Sequence, residues 1–230
     1  MRLLAIETST EACSIAVWVD GDVRERHEIA PRRHTQLALP WAEALLAEAG
    51  IARAQLDAIA VGRGPGAFTG VRLGIALAQG MAVALDRPLL PVSTLAVLAM
   101  RGRGPRIVAA IDARMGEVYV GAFTRDDDGL VHADGDERVC APADAPLPEA
   151  PFAALGTGFA ADDGALARRA GARAMALVAT ALPHAADLAR LGDALFRAGG
   201  AIAPDHVEPA YLRDKVALTL EEQGRPRPAR

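Results

Sequence analysis

Two stretches of this chain repeat each other, and the repeat limits the fold more than any other feature. Leu3–Trp18 (LLAIETSTEACSIAVW) and Val108–Phe123 (VAAIDARMGEVYVGAF) each read as strand, polar turn, strand. In both, the first strand ends in Ile followed by a carboxylate, Glu7 in one and Asp112 in the other, 105 positions apart. Internal similarity over such a distance implies two lobes of related topology, against the rival reading of two ordinary hairpins alike by chance. The expected division is 1–104 for the first lobe and 105–230 for a smaller, less regular second lobe.

The first half alternates strands and helices. Leu3–Ile6, Ala12–Trp18 and Val23–Ile29 read as strands, the last two joined by the hairpin turn Asp20-Gly21-Asp22. A helix is expected over His34–Ala49, with Leu37, Trp41, Leu45 and Leu46 near 3.6 spacing, Pro40 in or just after its first turn, and Gly50 as its stop. Leu56–Val61 reads as a buried strand, Thr69 as the N-cap of a helix running to Leu85, Leu89–Val92 as a strand and Ser93–Met100 as a helix. Strands separated by helices pair in parallel, so the sheet is mixed with helices on its faces, an α/β fold. Past Thr124 the signal weakens: Ala141–Pro151 reads as a loop, Phe152–Leu155 as a strand and Pro183–Ala198 as an amphipathic helix of the second lobe.

The junction Gly62–Gly74 (GRGPGAFTGVRLG) admits three readings. Glycines ahead of a helix N-terminus can cradle phosphate, yet the chain lacks both the Gly-Lys-Ser/Thr of a P-loop and the Rossmann spacing. The second reading rests on the helix itself. Val71, Leu73, Ile75, Leu77, Met81, Val83 and Leu85 point in nearly all directions, and small residues recur at Gly70, Gly74, Ala78 and Ala82. A helix apolar all round is buried all round, and small residues at four-residue spacing let a second helix approach closely. Arg72 and Gln79 alone break the pattern. The packing partner is then either another protein or, in the third reading, the His34–Ala49 helix of the same chain.

Other chemistry is sparse. No two of the five histidines (His27, His34, His132, His184, His206) share helical ligand spacing, so no metal site is expected, and no serine lies in a nucleophile elbow. Cys13 and Cys140 make no disulfide framework, which suits the cytoplasm. Net charge is −4, without the basic excess of an autonomous nucleic-acid binder, and the tail Arg225–Arg230 reads as a frayed end. The apolar runs Ile75–Leu85 and Leu89–Met100 fall short of the roughly 18–20 residues of a membrane span. Glu7, Thr8 and Asp112 are candidates for a nucleotide cleft between lobes, set against their being ordinary turn residues.

Several segments together are specific. Ile6–Ser14 (IETSTEACS), His34-Thr35-Gln36, Gly62–Arg72, Ile111–Tyr119 (IDARMGEVY) and Glu208–Arg213 (EPAYLR) closely resemble the TsaB (YeaZ) family, strongly through about residue 123 and again near the C-terminus. The resemblance implies a two-lobed actin-like fold of the sugar kinase/Hsp70/actin type, with mixed sheets flanked by helices. It implies a role in forming threonylcarbamoyladenosine at position 37 of tRNAs reading ANN codons. In that family TsaB is the dimerisation partner of the catalytic subunit TsaD, the ATPase TsaE joins them, and TsaC makes the threonylcarbamoyl donor.

The resemblance also marks a departure. TsaD carries a His-x-x-x-His metal motif at the positions occupied here by Thr94 and Leu98, and neither side chain replaces imidazole. The chain is therefore expected to be non-catalytic, with no metal and no cofactor of its own, ATP and magnesium entering only through the complex. Its expected partner interface is His34, Leu37, Trp41, Leu45, Gly70, Arg72, Gly74, Ala78 and Gln79. Expected partners are TsaD in a heterodimer, TsaE, tRNA through the complex, and a second copy when isolated, with no membrane. Two rival classes remain: an ATP-using phosphotransferase organised by Glu7 and Asp112, and a metallopeptidase, which Thr94 and Leu98 disfavour.

Overall fold

The computed structural model describes residues 1–213; the tail Arg225–Arg230 lies outside them. The chain runs β1 (Arg2–Glu7), β2 (Ala12–Val19), β3 (Asp22–Ile29), α1 (His34–Glu48), β4 (Ala58–Gly62), α2 (Phe68–Leu85), β5 (Leu89–Val92) and α3 (Thr94–Ala99). It continues with β6 (Arg106–Arg114), β7 (Glu117–Arg125), β8 (Val131–Ala133), β9 (Arg138–Cys140), β10 (Phe152–Leu155), α4 (Ala161–Ala170), β11 (Ala174–Val178) and α5 (Ala185–Arg197).

The strands form two sheets, ordered β3-β2-β1-β4-β5 and, with β9 beside β7, β11-β10-β6-β7-β8. Read from the other edge, the second order is the first over again. β1 pairs antiparallel with β2 and parallel with β4; β6 pairs antiparallel with β7 and parallel with β10. The sequence repeat is thus a repeat of topology.

In the first sheet β1 and β4 are buried on both faces, as central strands of a mixed sheet must be. Leu4, Ile6, Ile15, Val17, Ile59 and Val61 point toward α1 and α2. The opposite face offers Leu3 and the small side chains Ala5, Ala16, Ala58 and Ala60 to α5. That alanine face permits a close approach: a Cβ added at Gly192 of α5 would lie 2.9 Å from the Ala60 methyl. In the second sheet α3 covers one face and α4 the other.

Two local expectations are corrected. Thr69 is not an N-cap: α2 starts at Phe68 with Ala67 at the cap and no side-chain bond, so Thr69 lies within the first turn. Pro40 lies inside α1 after the first turn, on its exposed side. The Pro183–Ala198 helix, placed with the second lobe by its position in sequence, packs as α5 on the first sheet, because its leucines match the alanine face there. Ser93 does cap α3, its Oγ accepting from the amides of Leu95 and Ala96 at 3.1 and 3.3 Å.

Candidate functional site

The glycines of the junction exist to lay α2 on the β1–β2 turn. Thr8 Oγ1 donates to the Gly70 carbonyl at 2.8 Å, and the Ala67 amide donates to the Ser9 carbonyl at 2.7 Å. A Cβ at Gly70 would run into the Thr8 carbonyl, and one at Gly74 would lie 2.6 Å from Thr8 Oγ1. The small-residue stripe Gly70, Gly74, Ala78 and Ala82 therefore faces the chain's own sheet, and all four are buried.

This reassigns most of the expected interface. Gly70, Gly74, Ala78 and Leu45 belong to the core. His34 is buried and its Nε2 lies 3.1 and 3.2 Å from the carbonyls of Thr10 and Ala12, a tie between α1 and the turn. Two acceptors on one ring nitrogen identify it as the protonated one. Gln79 donates to the Pro204 carbonyl at 2.8 Å, holding the C-terminal segment. Leu37, Trp41 and Arg72 keep exposed surface. Arg72 stacks on the Phe68 ring at 3.5 Å and reaches Tyr211 at 5.5 Å.

The outer face of α2 is instead made of residues that sequence reasoning left unassigned. Phe68 is 62% and Val83 72% exposed, with Ala76, Gly80 and Ala84 between and beyond them and Leu73, Leu77 and Met81 half-buried alongside. Leu39 of α1 is 43% exposed as well. At eighteen residues α2 is long and apolar enough to cross a membrane, contrary to the shorter run expected, but one of its sides is committed to the sheet. A helix apolar all round hides its orientation, because periodicity cannot choose between faces that are both apolar.

A cleft of about 870 Å³ lies between the lobes, lined by Ser9, the start of α2, Ile111–Arg114 and Pro209–Arg213. Asp112 stands on its wall, accepting from the Arg114 amide at 2.7 Å and the Arg114 guanidinium at 2.8 Å. Glu7 does not reach the cleft. It is 1% exposed behind the glycine loop, accepting from the Ser9 amide at 2.7 Å, and burial pushes its pKa above the ordinary 4.5. Thr8 is occupied by Gly70. The three candidate cleft residues are thus not brought together as a paired-carboxylate magnesium site; the acidic partner of Asp112 is walled off by the Gly62 approach to the Glu7 carboxylate.

Thr94 and Leu98 are both fully buried. Thr94 donates its amide to the Gly64 carbonyl and lies 3.5 Å from Glu7 through its hydroxyl, while Leu98 packs among Ile107, Ala109 and Leu155. Position 98 has become core.

Residues 27–219 match the family described as TsaD, tRNA N6-adenosine threonylcarbamoyltransferase. The tRNA threonylcarbamoyladenosine biosynthesis protein TsaB of Escherichia coli K12 is 40% identical over 94% of this chain and 96% of its own length. The chain belongs to the TsaB family. The TsaB protein of Haemophilus influenzae is 37% identical over 94% of the chain and 95% of its own length. A solved structure of YeaZ from Pseudomonas aeruginosa superposes with a TM-score of 0.84 at 43% identity, covering 92% of this chain and 99% of that one. The repeated mixed sheets are accordingly the actin-like arrangement of TsaB, within the wider TsaD family.

Proposed function

We propose that this TsaB-family chain serves tRNA threonylcarbamoyladenosine formation as a non-catalytic subunit, presenting the outer faces of α1 and α2 to a TsaD-type catalytic partner. The observation that carries this reading is the one-sided burial of α2: its small residues are spent on the chain's own sheet, while Phe68, Leu73, Leu77 and Val83 leave an apolar surface in the open. Contiguous exposed apolar surface marks an interaction site. A subunit that binds only the competent state of its partner raises that population without chemistry of its own. The replacement of imidazoles by Thr94 and Leu98, and the burial of Glu7, both speak against catalysis or ATP-driven phosphotransfer within this chain.

TsaE joins the pair, tRNA and Mg-ATP enter through the complex, and the assembly works in the cytoplasm. When the partner is absent, the same surface supports a homodimer. The test is co-elution with a TsaD-type protein. Val83→Glu combined with Leu73→Glu buries charge in the contact and is expected to weaken association by at least about 2 kcal/mol, roughly thirtyfold in Kd, with the thermal midpoint unchanged. Undiminished co-elution of the folded double variant contradicts the docking face.

A further inference from the structure

On the other face of the first sheet, β3 meets the start of α5 in a cluster that the proposed docking role leaves unused. Glu25 and His27 are alternate residues of β3 and so share one of its faces. His184 stands at the N-cap of α5. The two imidazoles stack with ring centroids 3.8 Å apart and planes 4° from parallel. His184 Nδ1 lies 3.0 Å from one Glu25 oxygen; the other accepts from Ser14 Oγ at 2.7 Å and the Ala186 amide at 3.1 Å. Potential metal-donor atoms of Glu25, His27 and His184 all lie within 4.8 Å of one another. His27 Nδ1 is buried and has no hydrogen-bond partner among the described residues.

We propose that Glu25, His27 and His184 form a binding site for a divalent cation of the zinc type, which clips β3 to α5. Two imidazoles and one carboxylate are a donor set that zinc accepts, with solvent in the fourth position. Nitrogen donors select against calcium and magnesium, which take oxygen ligands. The orphaned His27 nitrogen is an independent sign, since a buried polar atom without a partner calls for a missing ligand. Glu25 and His184 are each 21% exposed at the side chain, so the site has an entry path. Parallel rings cannot both hold one ion in plane, so binding requires the stacked pair to tilt. Metal entry tilts the rings about χ2, a broad and soft torsion. Asp187, on the first turn of α5, adds a second buried carboxylate beside the cluster, countered by Arg101 at 3.5 Å. The residues joined are 159 positions apart, a separation at which no spacing motif could announce them.

Tag-free full-length protein, stripped with a chelator, is titrated with Zn²⁺ in competition with a chromophoric indicator and with Co²⁺ followed by visible absorption. One tight equivalent is expected, with a cobalt spectrum of tetrahedral nitrogen–oxygen ligation and a thermal midpoint that rises with Zn²⁺. His27→Phe keeps a stacking partner for His184, and Glu25→Gln keeps the hydrogen bonds. Each should weaken binding at least roughly tenfold and abolish the metal-dependent rise, while His132→Gln changes neither. Midpoints in chelator show that the variants are folded. The absence of a stoichiometric equivalent in the native chain, or equal binding in the folded variants, overturns the site.

Discussion

Glu7 shows how a residue legible as chemistry can turn out to be architecture. Its place after a strand-ending Ile, matched by Asp112, invites a magnesium-binding pair, but the glycine loop closes over it and burial raises its pKa. A carboxyl whose folded pKa lies above its unfolded value binds protons more readily in the native state. Its contribution is fully present below about 4.5 and is lost as pH rises through the folded value. Glu7→Gln retains an acceptor for the Ser9 amide without the charge. The variant should melt higher than the native protein at neutral pH, and the difference should vanish near pH 4; a lower midpoint at neutral pH would contradict this assignment. Gly74→Leu drives a side chain into Thr8 and should cost about 2–3 kcal/mol in denaturant unfolding, a loss of fold rather than a selective loss of docking.

Helix α2 was legible as an element and illegible as a face. Its existence, its end at Leu85 and its glycine-rich approach could be read from residues 62–85; its burial all round could not, since the face of Phe68 and Val83 is open. Which side meets the sheet could not, because Gly70, Gly74 and Ala78 suit either a partner helix or the Thr8 carbonyl with equal ease. The β1–β2 turn decides between them through hydrogen bonds from Thr8 and Ala67, and such tertiary pairs leave no trace in local periodicity. The Val83→Glu, Leu73→Glu pair should separate docking from stability, whereas any change on the small-residue side should affect both. Helix α5 makes the converse point. Its leucine pattern marked it as amphipathic, but the matching surface is the alanine face of a sheet more than a hundred residues earlier in the chain, so its packing site could not be read from its place in sequence.

The whole molecule is two copies of one strand order, joined by α3 between them and by the segment Pro204–Arg213 across them. That segment is held by Gln79 at Pro204, donates from the Ala210 amide to the Arg63 carbonyl at 2.8 Å, and ends with Arg213 donating to the Ala113 carbonyl at 3.0 Å and pairing with Glu117. The first two contacts lie on one lobe and the last on the other, so the segment acts as a strap. Arg213→Ala should speed amide hydrogen exchange in the β6–β7 turn while leaving β1 and β4 protected; unchanged exchange there would show that the strap does not restrain the lobes. Both the repeat and the Glu208–Arg213 motif were visible in the sequence, but that the motif bridges the lobes is a property of the folded chain alone. The central claim is that this chain is required for tRNA modification without performing it. Its most direct test is reconstitution of TsaC-, TsaD- and TsaE-type proteins with substrate tRNA, scoring threonylcarbamoyladenosine by nucleoside analysis. Modification should fail without this chain, return when it is added, and stay absent with the folded Val83→Glu, Leu73→Glu variant; full modification with the chain omitted would contradict the account.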